Sequence, residues 1–391
     1  MTSPDNTFPG PISINFLLPS FIIFITLSLQ RTGFSICSIK SSLIYSGSFD
    51  GSAVTASTGY QSFDRWKTIR SNTSANWTIE KETLSAADVA TTGHKQAMEI
   101  KCTTADTSTA AAEYNVMFHA MEANTLQDLN YGTSAAKSFT VSFWVRSYQT
   151  GTFVLGLAKA DGVTYYNRIE YTINASNTWE HKTLVFSPTA GDTSLITGAN
   201  GYITNDNGNG IAFYFVLNAG SNFQVANNIW NTGGISTSNQ TNLMSSTDNH
   251  WSITGLQMEV GDQATDFEYL PFDVQLARCK RYYQLISNTN GSSIGQGTHY
   301  NSTAIYLAEG VHPEMRTTPS LSTSGGTNYF LRYSNGGSDT FDNFALDGAT
   351  GPAYIEFYAG SGQNHSGGTA GHACFCRTNN TSAVFAISSE F

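Results

Sequence analysis

The sequence predicts an all-β protein: an antiparallel jelly roll or β-sandwich, a short linker helix, and then a second, smaller β-domain. Three observations carry that expectation. Only 12% of the 391 residues are charged while 40% are hydrophobic and 13% aromatic, against about 25% charged in an ordinary soluble domain. Apolar residues recur at every second position over much of the chain, the period of a half-buried strand. Between these runs lie Gly, Asn, Asp and Ser, the residues that turns require. Helical bundles and coiled coils are excluded by that pattern, and disorder by the recurring aromatics. A net charge of −10 leaves no basic surface for nucleic acid. At about 150 residues per domain, the length suggests two or three units.

Residues 1–44 stand apart as an apolar leader. Phe16 to Leu29 form the one long apolar run, interrupted by Pro19, and no Lys or Arg precedes Arg31. The run is too short to span a bilayer comfortably and lacks the basic start of a secretory signal. A weak signal peptide, an anchor, and an extension outside the fold are the alternatives, and stable membrane insertion is not expected. Residues 45–270 read as the jelly roll. Phe139, Val141, Phe143 and Val145 share one strand face; Ile169, Tyr171 and Ile173 another; Ile211, Phe213, Phe215 and Leu217 a third. Ala160-Asp161-Gly162 reads as a turn between strands, and Asn205 to Gly210 as a hairpin turn.

Pro271 ends this pattern. Asp273 is placed to cap a helix through residue 286, with Leu276, Cys279, Tyr283 and Ile286 as its apolar stripe; residues 271–287 are read as the linker helix. Residues 288–391 form the distal domain, which contains no Lys and 15 of the 35 glycines. The five cysteines include no CxxC pair and read as reduced, buried thiols.

Catalytic chemistry finds little support. No GxSxG, HExxH, Walker or Rossmann pattern occurs. Glu80 and Glu82 share a strand face and read as a solvated edge. The Asn205–Gly210 segment places Val216 where a calcium loop needs Glu. His372, Cys374 and Cys376 alternate along one strand, which reads as a buried row of small side chains in preference to a metal site. Trp66, Trp77, Trp179, Trp230 and Trp251 read as packing for the sandwich.

Several segments resemble tailed-phage virion proteins, those of marine phages in particular. They are FDRWKTI (63–69), KSFTVSFWVRSYQTGTF (137–153), YTINASNTWEHKTLVF (171–186) and NDNGNGIAFYFVLNAGSNF (205–223), with HPEMRTTPSLSTSG (312–325) and the terminal AISSEF. The strongest is WSITGLQMEVGDQATDFEYLPFDVQLARCKRYYQLI (251–286), which resembles the junction between a carbohydrate-binding-module-like jelly roll and a distal tip domain. The leader is foreign to that pattern, and Tyr269 to Phe272 replaces a more polar junction. The resemblance covers residues 45–391. It implies a non-enzymatic tail-fibre or related virion structural protein, trimeric, folded in the host cytoplasm, contacting other virion proteins and recognising a host-surface glycan or other receptor. Secretion is the alternative if the leader is a signal peptide.

Within that frame, sugars stack on exposed rings while flanking polar side chains bond their hydroxyls. Alternation turns Trp144, Arg146 and Tyr148 away from the core on one strand, Tyr166 and Arg168 on a second, and Tyr214 and Asn218 on a third. These seven are the expected glycan contacts, and the competing reading is a second hydrophobic layer. The next candidates are Tyr300, Tyr329, Tyr333 and Tyr354 of the distal domain. Asp262, Asp266 and Glu268 lie at the jelly-roll terminus, where such modules hold a structural calcium; a plain surface loop is the alternative. No other cofactor is expected. A carbohydrate-binding module of a secreted polysaccharide-active system and a purely architectural virion subunit remain the other readings.

Overall fold

The computed structural model describes residues 54–60, 63–191 and 194–391; the apolar leader and Cys37 lie outside them. The protein is mostly β. Its first module comprises β1 (Val54–Thr55), β2 (Gly59–Tyr60), β3 (Trp66–Ser71), β4 (Asn76–Thr83), helix α1 (Ala86–Thr92), β5 (Gln96–Thr104), β6 (Tyr114–Glu122), β7 (Phe139–Ser147), β8 (Gly151–Lys159), β9 (Tyr165–Ile173), β10 (Glu180–Phe186), the single turn α2 (Ser194–Thr197), β11 (Asn209–Ala219) and β12 (His250–Val260). Two six-stranded sheets result. Sheet I runs β1-β4-β5-β12-β7-β10 and sheet II runs β2-β3-β6-β11-β8-β9.

The core between these sheets follows the alternation in the sequence. Phe139, Val141, Phe143 and Val145 of sheet I face Leu155, Leu157, Phe213 and Phe215 of sheet II, and all are buried. Phe143 and Phe215 meet edge to face at 5.4 Å, the arrangement that ring quadrupoles favour. Tyr171 and Ile173 join them, as do Trp66, Trp77, Trp230 and Trp251.

The outer faces are covered too. Across sheet I lies α1, which the sequence reading passes over. Ser85 caps it by accepting from the Asp88 amide at 3.2 Å while Asp88 reaches back to the Ser85 amide, and Gly93 closes it at φ 76°. A Ser-x-x-Asp box followed by glycine is the local signal that marks this short helix. Glu80 and Glu82 do face outward, but each meets a cation: Lys101 bonds Glu80, and Arg146 bonds Glu82.

The distal part begins with α3 (Phe272–Lys280) and continues through β13 (Tyr283–Ser287), β14 (Ser293–His299), β15 (Ile305–Gly310), β16 (Ser320–Leu321), β17 (Phe330–Ser334), β18 (Gly337–Phe341), β19 (Ala345–Leu346), β20 (Tyr354–Ala359), β21 (Ala373–Thr378) and β22 (Phe385–Ser388). Sheet III is β13-β22-β16, and sheet IV is β18-β17-β21-β14-β15-β20-β19. Their shared core holds Ile305, Leu307, Phe330, Phe341, Phe357 and Phe385. Cys374 and Cys376 are buried in it as free thiols.

Two expectations are corrected here. The helix expected to run to residue 286 stops at Lys280, so Tyr283 and Ile286 belong to a strand, paired through Tyr283↔Ser388 and its neighbours. Asp273 lies in the first turn, behind Pro271 and Phe272. The Asn205–Gly210 segment is not a hairpin, because β11 pairs with β6 and β8 and the chain before it is a loop after α2. That loop instead meets the distal part: Arg316 donates to the Asn207 carbonyl at 2.9 Å, and the Asn207 amide donates back to the Arg316 carbonyl. Among the described residues no helix is long and apolar enough to cross a membrane.

Polar side chains tie the first module to the distal part. Glu122, at the end of β6, accepts from Arg281 Nη2 at 2.8 Å and from the Tyr282 hydroxyl at 2.6 Å. Burial pushes the Glu122 carboxyl up, but these two hydrogen bonds outweigh it and hold the group below its usual range. Glu390 accepts from the Arg65 amide at 3.3 Å. Burial pushes this carboxyl up to about 7, against the pull of the Arg65 charge. A raised carboxyl favours the fold when protonated, so its contribution is complete below its unfolded value near 4.5 and is lost as pH rises through about 7. Glu390→Gln should therefore match the wild type at about pH 4 and exceed it above pH 7, by up to about 3 kcal/mol. Urea unfolding at the two pH values checks this, and parallel curves for both proteins contradict it.

Candidate functional site

The outer face of sheet II carries the most elaborate surface feature of the first module. Its strands place Val116, Val154 and Val216 outward in a row, and Tyr214 beside them. An apolar row of this kind needs a cover, which the segment 220–241 supplies. The segment first hydrogen-bonds along β9: the Asn228 amide donates to the Arg168 carbonyl at 2.8 Å, and Asn231 exchanges backbone bonds with Tyr166 at 2.8 and 3.0 Å. Trp230 then enters the main core, donating from Nε1 to the Ser187 carbonyl at 2.8 Å. Ile235 settles on the valine row. Gly156 of β8 makes that approach possible, since a Cβ there would lie 2.4 Å from the Ile235 carbonyl oxygen.

Between this cover and β9 a cleft of about 450 Å³ opens. Glu170, Gln224, Asn227, Ser238 and Asn239 line it with polar groups, Val225 and Ala226 with small apolar ones. The Asn239 amide donates to Glu170 Oε1 at 3.1 Å, and Asn227 Oδ1 accepts from the Glu170 amide at 3.0 Å. Glu170 is the one ionisable side chain in the lining. Such a lining can donate to and accept from a hydroxylated ligand at several points. The lining holds one carboxyl, whereas glycoside hydrolysis uses a carboxyl pair about 5 to 9 Å apart.

The seven expected glycan contacts fall on opposite sides of the sandwich, and the structure buries two of them, Arg168 and Asn218. Trp144 and Arg146 belong to β7 in sheet I, with Tyr148 just past its end, whereas Tyr166, Arg168, Tyr214 and Asn218 belong to β9 and β11 in sheet II. Arg168 is fully buried: its guanidinium donates to the Tyr166 carbonyl at 2.8 Å, the Ala226 carbonyl at 3.3 Å and Asn231 Oδ1 at 2.6 Å. Asn218 is also buried, bonded to Glu113 at 2.6 Å and to Asn115 at 2.5 Å. Neither can touch a ligand; Arg168 fastens the cover. Tyr166 and Tyr214 are half-buried beneath it.

On sheet I, Trp144 packs with Leu84, Val89, Ala97 and Trp179. Arg146 is bonded to Glu82 and lies 4.9 Å over the Trp179 ring. The second hydrophobic layer is thus what both outer faces carry. Tyr148 alone of the seven is well exposed, beside His250.

Asp262, Asp266 and Glu268 are exposed on the turn after β12. Among the described residues no group of His, Cys, Asp or Glu is arranged to hold a metal ion. Gln257 and Glu259 secure that turn instead, through the Glu268 amide at 2.8 Å and the Thr265 amide at 3.0 Å. The cleft itself escaped the sequence reading because its walls come from a strand and from a loop about sixty residues later. Gly156 within an apolar run was the available sign, since an interior strand glycine marks a close backbone approach.

No family model matches this chain, and no curated protein does. Among solved structures it is similar to the enzymatically active domain of tailspike protein 4 of bacteriophage CBA120, with 11% identity over 50% of this chain and a TM-score of 0.25; the chain spans 19% of that one. It is similar to a CBM22 tandem domain from Paenibacillus barcinonensis, with 10% identity over 88% of this chain and all of that one, at a TM-score of 0.26. A family 11 carbohydrate-binding module of a Clostridium thermocellum cellulosomal cellulase gives 13% identity, covering 54% of this chain and 99% of that one, with a TM-score of 0.26.

Removing the Arg168 side chain should loosen the cover and leave the sandwich folded. Arg168→Ala is expected to cost about 2 kcal/mol, the scale of hydrogen bonds to a charged donor. Hydrogen exchange should accelerate at the Asn228 and Asn231 amides, which donate to β9, and stay slow within β7 and β12. Unchanged protection of those two amides contradicts the fastening role.

Proposed function

We propose that the protein is a non-enzymatic glycan-recognition component of a phage tail fibre or related virion structure, acting at the host surface. The observation that carries glycan recognition is the cleft beside Glu170. Its lining is a set of amides and hydroxyls around one carboxylate, with Val225 and Ala226 supplying small apolar contacts. A polyol ligand presents the complementary mixture of hydroxyls and C–H faces. The single carboxylate supports binding without hydrolysis. The virion setting is supported by the resemblance of residues 251–286 and their flanking segments to tailed-phage structural proteins.

Assembly as a homotrimer belongs to the same proposal. Phe272 and Val274 of α3 are exposed apolar side chains, with Tyr269 just before them, and a subunit contact there would cover them. Three clefts on one particle component would also raise weak single-site affinity through multivalency.

A glycan array probed with the full chain tests the site. Asn239→Ala removes a donor and leaves Glu170 without its partner, and Glu170→Ala removes the acceptor. Each is expected to weaken binding about tenfold, the scale of one polar contact to a charged group. Equal binding by the wild type and both variants would overturn the cleft as the glycan site. Sedimentation velocity checks the trimer, and mass spectrometry of purified particles checks the virion setting.

A further inference from the structure

Among the described residues, sheet IV lies on the distal core with one face only. Ile305, Leu307, Ile355 and Phe357 point into that core and are almost completely buried. The residues between them turn outward, and register brings Tyr358, Tyr306 and Thr298 into one row across β20, β15 and β14. Tyr300 extends the row at its edge. The Tyr306 and Tyr358 rings are stacked with centroids 5.3 Å apart, and Tyr300 meets Tyr306 edge to face at 5.6 Å. Tyr300 is 73% exposed. Three rings in contact, Tyr300 to Tyr306 to Tyr358, offer a sugar more than one aromatic surface.

We infer that this open face of sheet IV, around Tyr300, Tyr306 and Tyr358 with Glu356 beside them, is a second binding surface, for neutral oligosaccharides. Rings of this kind supply apolar faces and edges to sugar C–H groups, and phenols supply hydrogen bonds at the same positions. Glu356 lies next but one to Tyr358 on β20 and so shares its face, where a carboxylate can accept from adjacent sugar hydroxyls. Asp347 adds a second negative charge near Tyr306; desolvation first, then this charge, hold the Tyr306 phenol above its ordinary range. Two carboxylates disfavour an anionic glycan, which commits the site to neutral sugars. The same charges argue against a second copy of the chain as the occupant, because charged residues are depleted from the core of a subunit interface. Thr298 and Ala308, which complete the surface between the strands, are exposed and carry no large aliphatic group.

The experiment uses the full chain with the jelly-roll cleft silenced by Glu170→Ala and Asn239→Ala together, and arrays of neutral and of anionic oligosaccharides as probes. The silenced chain should still bind neutral oligosaccharides and not anionic ones. Adding Tyr358→Ala should then weaken binding about tenfold or more, as loss of a stacked ring does. Tyr300→Ala serves as the second variant, since its exposed ring can be removed with little effect on folding, and binding should again fall. No neutral oligosaccharide bound by the silenced chain, or binding indifferent to both tyrosine variants, overturns the inference. A change of sedimentation coefficient with Tyr358→Ala also overturns it, by assigning the face to a subunit contact. If the tyrosine variants abolish binding while the cleft substitutions do nothing, this surface stands and the cleft reading alone fails.

Discussion

The cover over sheet II depends on a guanidinium buried among neutral oxygens. Arg168 has two backbone carbonyls and one side-chain amide oxygen around it, and burial pushes its pKa down to about 10. It is still charged at neutral pH. Desolvating a cation without an anion beside it is unfavourable, so opening the cover would rehydrate the charge. Apolar burial opposes that opening: Trp230 lies in the main core and Ile235 on the valine row, and a fully buried side chain of this size stabilises by about 2 to 3 kcal/mol. The three hydrogen bonds from Arg168 and these apolar anchors together hold the cover closed against rehydration of the guanidinium. Glu170, two residues from Arg168 on the same strand, thereby gains an opposite wall.

Lys159 repeats the device elsewhere in the first module. Its ammonium is fully buried and donates to the carbonyls of Asp161, Asn200 and Tyr202, at 2.5, 3.2 and 3.0 Å. Burial lowers its pKa to about 8. A chain with so few charges uses some of them as internal clamps on loop carbonyls that no strand could satisfy. This is why low charge content did not translate into a surface stripped of specific structure.

The inner faces of the strands were legible in the sequence because period-two alternation records them directly. Phe139 to Val145 and Ile211 to Leu217 are buried as that alternation requires. The outer faces were not legible, since a ring such as Trp144 alternates identically whether water or α1 lies above it. Arg168 shows the limit most sharply: an outward arginine on a strand reads as a solvent-facing cation, and only the later segment 220–241 makes it an internal donor. The linker helix failed for a related reason. Leu276 and Cys279 have helical spacing with Tyr283 and Ile286, but β22, about a hundred residues later, offers Tyr283 to Ser287 a ladder, and non-local pairing overrides local periodicity. Arg281 and Tyr282 then turn toward Glu122, at the point where the helix ends.

The two surfaces proposed for sugar binding differ in how the fold leaves them available. In the cleft, polar groups are held by light bonding among themselves, Asn239 to Glu170 and Asn227 to the Glu170 amide, so a ligand exchanges one hydrogen bond for another without breaking an ion pair. On sheet I the charged side chains are already committed, Arg146 to Glu82 and Lys101 to Glu80, and a ligand would have to break an ion pair before gaining a contact. Among the described residues, the rings on the open face of sheet IV are committed only to one another. Stacked phenols keep their outer edges and hydroxyls free for a third partner, which an ion pair does not. Availability for binding therefore follows from which outward groups the fold leaves incompletely satisfied, and by that criterion the cleft and sheet IV qualify where the expected β7 surface does not.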